Sequence, residues 1–314
     1  MSRKGLETFR QVFSRRASEF KSTFLDSIRL RHSFHSIVLL IALIVALSLS
    51  AGCTYLFFKP GRRFISDPAT QSYSPRDVYF KSADGRTLNG WYFRARGEER
   101  GTILVCHGNV ENLSTHVKLD LWLVEAGYNL FIFDYRGYGK SEGEPDVKGI
   151  NLDAEAALET LLAKLPRTRN DGVIVFGKSL GGAVAVYTVA NSPYRSCVKA
   201  LILDSAFSSY RMIAREKIAK SIIGWPFQYP LSYLVSDDYS PVDYIKKVSP
   251  IPVLIMHGYQ DEIVPEHHGR ILYDAALPPK QFWELTLPGH VKSWTDEATR
   301  KRLLAYLAAL PAIP

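Results

Sequence analysis

One stretch, Gly172 to Ala190, constrains the fold of this 314-residue chain more than any other. It opens with Val173 to Phe176, a short β-branched and aromatic run that is apolar on both sides and therefore predicts a buried parallel strand. From Leu180 onward, small and apolar residues continue without a turn signal, which predicts a helix packed against a sheet. A buried strand that leads directly into such a helix indicates an α/β fold.

Between this strand and this helix lies Gly177-Lys178-Ser179-Leu180-Gly181, a G-x-S-x-G pattern. In a sharp strand-to-helix turn, the central serine takes a strained backbone conformation, and small residues two before and two after it prevent a clash. The hydroxyl is then lifted above the sheet edge, beside the positive end of the helix dipole. We predict that Ser179 is a nucleophile; a purely structural small-residue turn is the alternative. Lys178 is expected to tolerate substitution, because its side chain should point away from the reacting carbonyl.

The net charge of +8 belongs mostly to the N-terminal tail. Residues 1–36 hold eight Lys/Arg and three Asp/Glu, a net charge of +5. The rest of the chain holds 31 Lys/Arg and 28 Asp/Glu, a net charge of only +3. A nucleic-acid partner is therefore not expected. The three cysteines do not make a disulfide framework, and Cys106 and Cys197 are expected to be small buried hydrophobic side chains.

A membrane segment is predicted at Ile37 to Phe58, which is 22 residues (58 − 37 + 1) without a charge. At a rise of 1.5 Å per residue it spans roughly 33 Å, enough for a hydrocarbon core of about 30 Å. The flank before it is far more basic than the flank after it, which places the N-terminus in the cytoplasm. We predict an uncleaved signal anchor in the cell (inner) membrane, with the catalytic part outside the cytoplasm. Ser50-Ala51-Gly52 before Cys53 leaves lipoprotein processing, or simple cleavage, as the alternative.

The predicted organisation is a basic cytoplasmic tail (1–36), the anchor (37–58), a proline-containing linker (59–75) and one folded domain (76–314). In the domain, apolar strands alternate with helices, so the sheet is expected to be mostly parallel and covered by helices. An insertion at about 208–249 is rich in aromatic residues and proline. It is interpreted as a helical excursion that packs its aromatics inward, or as a small cap that roofs the site with an apolar acyl pocket; the two are compatible.

A serine nucleophile needs a base, an acid that orients the base, and donors for the developing oxyanion. A parallel sheet supplies them at the carboxyl ends of its strands. His290 follows the last predicted strand and is the best base, and Asp261 follows the strand before it and is the best acid. Asp204, which follows the strand predicted at 200–203, is the competing acid. The backbone N–H groups of Asn109 and Leu180 are the predicted oxyanion donors.

The other histidines are weaker candidates. His267 and His268 open a predicted helix and are expected at the surface. No histidine pair has the helical spacing of zinc ligands with a carboxylate between them, so neither a metal nor a cofactor is expected. His107, in His107-Gly108-Asn109, is expected to fix its loop, with a role as a second base as the alternative.

Five motifs carry a family resemblance: HGN, DYRGYGKSEG, GKSLGG, HGYQDEIVP and PGH, in this order. Together they resemble the serine α/β-hydrolases, in particular bacterial membrane-attached relatives of the eukaryotic ABHD13 and ABHD17 type, over roughly 75–310. The resemblance implies an eight-stranded, mostly parallel sheet and a catalytic triad of Ser179, Asp261 and His290. It also implies that Asp134, Arg136 and Gly137 brace the loop beside the site. Family activities include hydrolysis of carboxylic esters and acyl thioesters and, in neighbouring groups, aminopeptidase action.

Three hypotheses follow. The first is a membrane-anchored serine esterase or thioesterase that acts on a small-molecule or lipid-like acyl substrate. The second is a peptidase, which needs acidic residues to hold a substrate amine; Glu216, Asp237 and Asp238 are candidates that the sequence does not distinguish from surface charge. The third is a catalytically idle binding protein on the same fold. Fold alone does not fix the substrate.

Overall fold

An eight-stranded sheet forms the centre of the described chain, which comprises residues 57–67, 72–166 and 172–311 of a computed structural model. The strands are β1 Lys59–Pro60, β2 Arg76–Lys81, β3 Thr87–Phe93, β4 Gly101–Cys106, β5 Val110–Glu111, β6 Tyr128–Phe133, β7 Val173–Lys178, β8 Val198–Asp204, β9 Val253–Tyr259 and β10 Lys280–Pro288. The order across the sheet is β10-β9-β8-β7-β4-β6-β3-β2, and β1 pairs with β5 in a separate two-stranded sheet. Only the pairs β2–β3 and β3–β6 are antiparallel. The predicted mostly parallel sheet is confirmed.

Helices cover both faces of this sheet. They are α1 Leu113–His116, α2 Leu121–Glu125, α3 Val147–Lys164, α4 Leu180–Asn191, α5 Tyr210–Ala219, α6 Gln228–Ser232, α7 Pro241–Tyr244, α8 His267–Ala275 and α9 Glu297–Ala308. Short 3-10 turns occur at Val117–Leu119, Arg195–Cys197, Trp225–Phe227, Ile245–Val248 and Ser293–Thr295. The first of these turns separates α1 from α2.

The central strands explain why the sheet needs two helical layers. Every residue of β4, β6 and β7 is buried. Because successive strand side chains point to opposite faces, Ile103 and Phe176 join one core cluster with α2 and α9, whereas Leu104 and Val175 face the side where α3 and α4 pack. β7 and the Ser179 turn that follows it therefore lie in the middle of the domain, between two covered faces.

The chain before the sheet is docked on the domain from residue 57 onward. Phe57 and Phe58 are 4% and 2% exposed, β1 pairs with β5, and the Arg62 guanidinium donates to the carbonyl of Gly143 at 2.9 Å. The predicted anchor at 37–58 therefore ends too late, because its last two residues pack inside the folded domain. A span restricted to 37–56 would have 20 residues (56 − 37 + 1), which as a helix is predicted to measure roughly 30 Å.

The rest of the predicted anchor, together with the basic tail at 1–36, lies outside the described residues. Among the helices that the structure does describe, none combines the length and the apolar character needed to cross a membrane. The anchor prediction thus remains a prediction. The predicted linker at 59–75 differs from a free tether over its described first part, since residues 59–67 contact the domain through β1, Arg62 and Phe64.

The insertion between β8 and β9 is helical, as predicted, and contains α5, α6 and α7. The buried side of α5, with Tyr210, Ile213 and Ala214, faces the domain. The expectation that the aromatics pack inward is wrong for several of them, because Trp225, Phe227, Tyr229 and Tyr233 are 56–69% exposed. The physical reason is that these four residues lie in 225–233, just after α5, where Ser232 is the one buried residue and the chain lies outside the packed core.

Candidate active site

Ser179 lies in a strained turn between β7 and α4. Its backbone has φ 52° and ψ −118°, and its side chain is largely buried. A Cβ added to Gly177 would lie 2.4 Å from the carbonyl oxygen of Gly181, and one added to Gly181 would lie 2.0 Å from that of Cys106. The predicted need for small residues two before and two after the serine is therefore met, and the turn holds the hydroxyl at the carboxyl edge of the sheet.

Asp261 and His290 are in contact. His290 Nδ1 lies 2.7 Å from Asp261 Oδ2, and the other carboxylate oxygen accepts the backbone N–H groups of Ile263 and Val264, each at 2.9 Å. Burial raises the pKa of the Asp261 carboxyl, but the hydrogen bond from His290 and these two amides outweigh burial and leave the pKa below its ordinary value. Asp261 is thus an ionised, fixed acceptor for the imidazole.

The ends of β9 and β10 approach closely enough to make this contact. A Cβ on Gly258 would lie 2.2 Å from the carbonyl oxygen of Gly289, and the N–H of Gly289 donates to the carbonyl of Tyr259 at 2.9 Å. Only a glycine at position 258 permits this approach. The loops that carry Asp261 and His290 are therefore joined by backbone contact.

Ser205, which the sequence analysis missed, connects the histidine loop to the nucleophile turn. Its hydroxyl accepts the N–H of Val291 at 3.2 Å, while the carbonyl of the preceding residue, Asp204, accepts the N–H of Ser179 at 2.9 Å. Within the described residues no hydrogen bond joins the Ser179 hydroxyl to His290. Catalytic hydrogen bonds often form only when substrate is bound, so this geometry does not remove His290 as the base.

Backbone strain is concentrated at this edge of the sheet. Four non-glycine residues with φ between 49° and 53° follow the neighbouring strands β7 to β10: Ser179, Ser205, Gln260 and Val291. Each costs on the order of 1–3 kcal/mol and persists only where the surroundings fix it. Such clustering is typical of functional sites.

The predicted oxyanion donors, Asn109 and Leu180, line one pocket together with Ser179. Leu180 is the first residue of α4, where its N–H has no acceptor within the helix. The peptide that carries the Asn109 N–H is held by His107, whose Nδ1 lies 2.7 Å from the carbonyl oxygen of Gly108. Because a carbonyl only accepts, Nδ1 is the donor, and this geometry favours a loop-fixing His107 over a second base.

The loop after β6 braces the same region. Tyr135 and Tyr138 donate their hydroxyls to the carbonyls of His107 and Asn109, at 3.2 and 2.9 Å, and Asp134 accepts the N–H of Leu113 at 2.7 Å. Arg136 pairs with Asp153 and Asp84, each at 2.8 Å. The bracing role implied for Asp134 and Arg136 is present, and Gly137 is needed too, with φ 83° and a Cβ position 2.5 Å from Pro145. The two tyrosines were missed.

Lys178, which was expected to tolerate substitution, has a buried and paired side chain. It is 1% exposed, and its ammonium group pairs with the fully buried Asp120 carboxylate. Its Nζ also lies 5.1 Å from the ring centroid of Trp294. The side chain does point away from the pocket, but tolerance to substitution is not expected, because removing Lys178 leaves an unpaired buried carboxylate.

The pocket at Ser179 has a volume of about 500 Å³. Its apolar lining includes Phe57, Phe207 and Ile213, and three lysines, 59, 217 and 220, line it beside the single acid Glu262. Burial lowers the pKa of Lys217. The pocket thus combines an apolar wall with an excess of positive charge, which suits an apolar acyl chain and disfavours a substrate ammonium group.

His268 is buried, contrary to the surface location expected for it, whereas His267 is half exposed. Both contact the Glu216 carboxylate, at 3.2 and 2.9 Å, and the three form the one metal-compatible cluster of the described residues. His268 Nδ1 accepts the N–H of Ser208 at 3.1 Å. The neutral ring therefore carries its proton on Nε2, the nitrogen that faces Glu216, which makes that nitrogen a donor and unsuited to metal.

The chain resembles known proteins over most of its length. The family model described as "Serine aminopeptidase, S33" matches residues 97–232. The YfhR protein of Escherichia coli is 34% identical over 259 residues, which cover 78% of this chain and 86% of that protein. The alpha/beta hydrolase domain-containing protein WAV2 of Arabidopsis thaliana is 33% identical over 237 residues, covering 72% and 76%.

Solved structures agree in fold. An alpha-beta hydrolase from Vibrio vulnificus superposes with a TM-score of 0.65 at 20% identity, covering 79% of this chain and 88% of that one. An esterase from Pyrococcus furiosus superposes with a TM-score of 0.64 at 21% identity, covering 80% and 99%. With its strained strand-to-helix turn at Ser179, its sheet order and relatives above 30% identity, this chain belongs to the alpha/beta hydrolase family.

Proposed function

We propose that the protein is a serine hydrolase that cleaves carboxylic esters or acyl thioesters through an acyl-enzyme on Ser179. The observation that carries the proposal is the 2.7 Å contact between His290 and Asp261 at the sheet edge where the Ser179 turn lies. A base held by an ionised acid, next to a serine with backbone donors beside it, is the arrangement that acyl transfer requires.

The proposed reaction has two halves. Ser179 Oγ attacks the acyl carbon while His290 Nε2 takes the hydroxyl proton, and the N–H groups of Asn109 and Leu180 stabilise the oxyanion. The acyl–oxygen or acyl–sulfur bond then breaks, and His290 gives the proton to the departing alcohol or thiol. Water attacks the acyl-enzyme with His290 as base, releasing the carboxylic acid and restoring the Ser179 hydroxyl.

Peptidase action is the second candidate, favoured by the description of the matching family model. Two of the acids suggested for holding a substrate amine, Glu216 and Asp237, are engaged elsewhere, and the one acid in the pocket lining, Glu262, stands beside three lysines. Glu216 contacts His267 and His268, and Asp237 accepts hydrogen bonds from the Ser209 hydroxyl and the N–H of Arg211 at the start of α5. Because three lysines and a single acid are the charged residues of an otherwise largely apolar lining, ester or thioester substrates fit better than substrates with a free amine.

Membrane attachment belongs to the proposal as well. Its support is the uncharged segment 37–56 and the basic tail before it, which favour a single span with the catalytic domain outside the cytoplasm. Lipidation at Cys53 is the competing mode of attachment.

The test is labelling by a fluorophosphonate, followed by turnover of p-nitrophenyl esters of graded chain length beside amino-acid anilides. We expect labelling and ester turnover in the wild type, and a loss of 10³-fold or more in Ser179→Ala with unchanged melting. Faster turnover of anilides than of esters would favour the peptidase. Absence of both labelling and turnover would leave an idle binding protein, and full activity in pure Ser179→Ala would remove Ser179 from the mechanism.

A further inference from the structure

The outer side of the insertion exposes a cluster of large apolar side chains. The chain from Ser221 to Val235 carries no charge. Of the fourteen exposed large hydrophobic residues in the described chain, seven lie within these positions, and Ile222 and Ile223 are 94% and 84% exposed. We name this set the cap face: Ile222, Ile223, Trp225, Phe227, Tyr229, Tyr233 and Leu234. A soluble monomer rarely exposes such a continuous run, so the cap face indicates a partner.

The charges next to the cap face are mostly basic. From 210 to 235 there are four Lys/Arg and one acid, Glu216, which already contacts His267 and His268. Of the two acids that follow, Asp237 accepts hydrogen bonds at the start of α5 and Asp238 accepts the Ser236 hydroxyl. The guanidinium groups of Arg211 and Arg215 lie over the rings of Tyr233 and Tyr229, at 5.3 and 5.4 Å from their centroids. Aromatic and aliphatic side chains beside such basic groups are typical of surfaces that lie in the interface of an anionic membrane.

The position of Phe57, at the start of the described chain, points to the same partner. Phe57 lines the active-site pocket and packs edge-to-face on Tyr210 of α5, with ring centroids 5.2 Å apart. Lys217 of α5 and Lys220, which caps the end of that helix, line the same pocket, and the cap face follows directly in the chain. The predicted span ends at residue 56, and consecutive Cα atoms are about 3.8 Å apart. A span at 37–56 would therefore leave the bilayer beside the pocket and the cap.

We infer that the cap face docks on the anionic bilayer that holds the N-terminal segment, so that the pocket opens toward the lipid surface. The substrate class is then an amphiphile with an apolar acyl chain and an anionic head group, taken from the bilayer. A second copy of the chain fits less well, because a two-fold contact would bring the same basic rim against itself. The docking does not depend on the chemistry, whereas the substrate class rests on the proposed function.

Tryptophan fluorescence tests the docking. The chain has five tryptophans; Trp91, Trp283 and Trp294 are at most 6% exposed, and Trp225 is 63% exposed. The full chain is reconstituted in vesicles of phosphatidylglycerol and phosphatidylcholine, with and without bromine on the acyl chains. The emission of Trp225 is the difference between the wild type and Trp225→Phe. We expect the brominated lipid to quench this emission at least about twofold. Equal emission of Trp225 in both vesicles would overturn the proposal.

The matched control places the indole at the opposite end of the strands. Leu277 is apolar, 52% exposed and lies just before β10, at the amino end of the strands. In Trp225→Phe/Leu277→Trp we expect no additional quenching by brominated lipid. Cross-linked dimers in which Trp225 is shielded from bromine would assign the cap face to a second copy and overturn the inference.

Activity tests the consequence for substrate. In Ile222→Asp/Ile223→Asp we expect turnover of a long-chain ester embedded in anionic vesicles to fall about tenfold, with turnover of a soluble short-chain p-nitrophenyl ester unchanged. Leu277→Asp is expected to change neither. Equal turnover of the embedded ester in the double variant and the wild type would overturn the inference. If the wild type hydrolyses neither ester while Trp225 is still quenched, the proposed chemistry fails and the docking stands.

Discussion

Asp261 holds the His290 imidazole through one carboxylate oxygen, at 2.7 Å, while two backbone amides fix the other. Asp204, the competing acid from the sequence, is fully buried at the end of β8, and its carbonyl accepts the N–H of Ser179. The two acids therefore have different contacts: the Asp261 carboxylate contacts His290, whereas Asp204 supports the Ser179 turn through its backbone carbonyl and its carboxylate accepts the Ser205 hydroxyl at 3.2 Å.

The first prediction compares Asp261→Asn with Asp204→Asn. Loss of the Asp261 carboxylate removes the acceptor that orients the imidazole and stabilises its charged form, so turnover should fall about 10⁴-fold with little change in melting. Asp204→Asn should retain turnover within about tenfold. Both are assayed beside fluorophosphonate labelling and thermal melting. The assignment is wrong if Asp204→Asn melts normally without turnover while Asp261→Asn stays active.

The second prediction concerns His107. Its Nδ1 donates to the carbonyl of Gly108, in the peptide that carries the Asn109 N–H, so His107 is a positioning residue for the oxyanion donor. His107→Leu should lower kcat on the order of 10²-fold, the effect of a misplaced oxyanion donor, with a smaller change in KM. His107→Asn keeps a donor in a similar place and should restore most of kcat. Equal loss in both variants would indicate a packing defect.

The third prediction is a double-mutant cycle on Lys178 and Asp120. Lys178→Met leaves the buried carboxylate unpaired and should lower the free energy of unfolding by about 3–5 kcal/mol. Lys178→Met/Asp120→Leu removes both charges and should recover much of that loss. Urea unfolding measures the free energy of unfolding of the wild type, the two single variants and the double variant. A single Lys178→Met variant as stable as the wild type would show that the pair contributes nothing.

The fourth prediction concerns topology. A reporter that is active only in the cytoplasm, fused after Pro314, should stay silent, because the basic tail favours a cytoplasmic N-terminus. Cys53→Ser should leave membrane attachment unchanged if the segment is a true anchor. A strong cytoplasmic signal from the reporter would show that the orientation is the opposite of the predicted one. Release of the Cys53→Ser protein from the membrane would support lipoprotein processing.

The local sequence was enough to predict the strand, the turn and the helix around Ser179, because glycine spacing and apolar runs determine structure over a few residues. Asp261 and His290 could be predicted because each follows a strand of the parallel sheet, and the carboxyl ends of those strands lie together. The features that were missed depend on distant contacts. Lys178 meets Asp120 across 58 residues, and Ser205 meets Val291 across 86. The exposed aromatics of the cap could not be predicted either, since nothing in the sequence says which side of a thin insertion has a neighbour.

The last prediction is a pH dependence of stability due to His268. Burial lowers the pKa of this imidazole to about 4, although Glu216 beside it acts in the opposite direction. Its ordinary pKa near 6.5 applies in the unfolded chain, so between pH 6.5 and pH 4 the unfolded state binds the extra proton. The free energy of unfolding should therefore fall as the pH drops through this window, by about 3 kcal/mol at most from this group.

His268→Asn keeps an acceptor for the N–H of Ser208 and removes the titration, so its melting temperature should fall less between pH 7 and pH 4.5 than that of the wild type. His267→Asn, which removes the half-exposed neighbouring ring, is the matched control and should keep the wild-type slope. If His268→Asn shows the same loss of stability on acidification as the wild type, protonation of His268 is not a source of acid sensitivity.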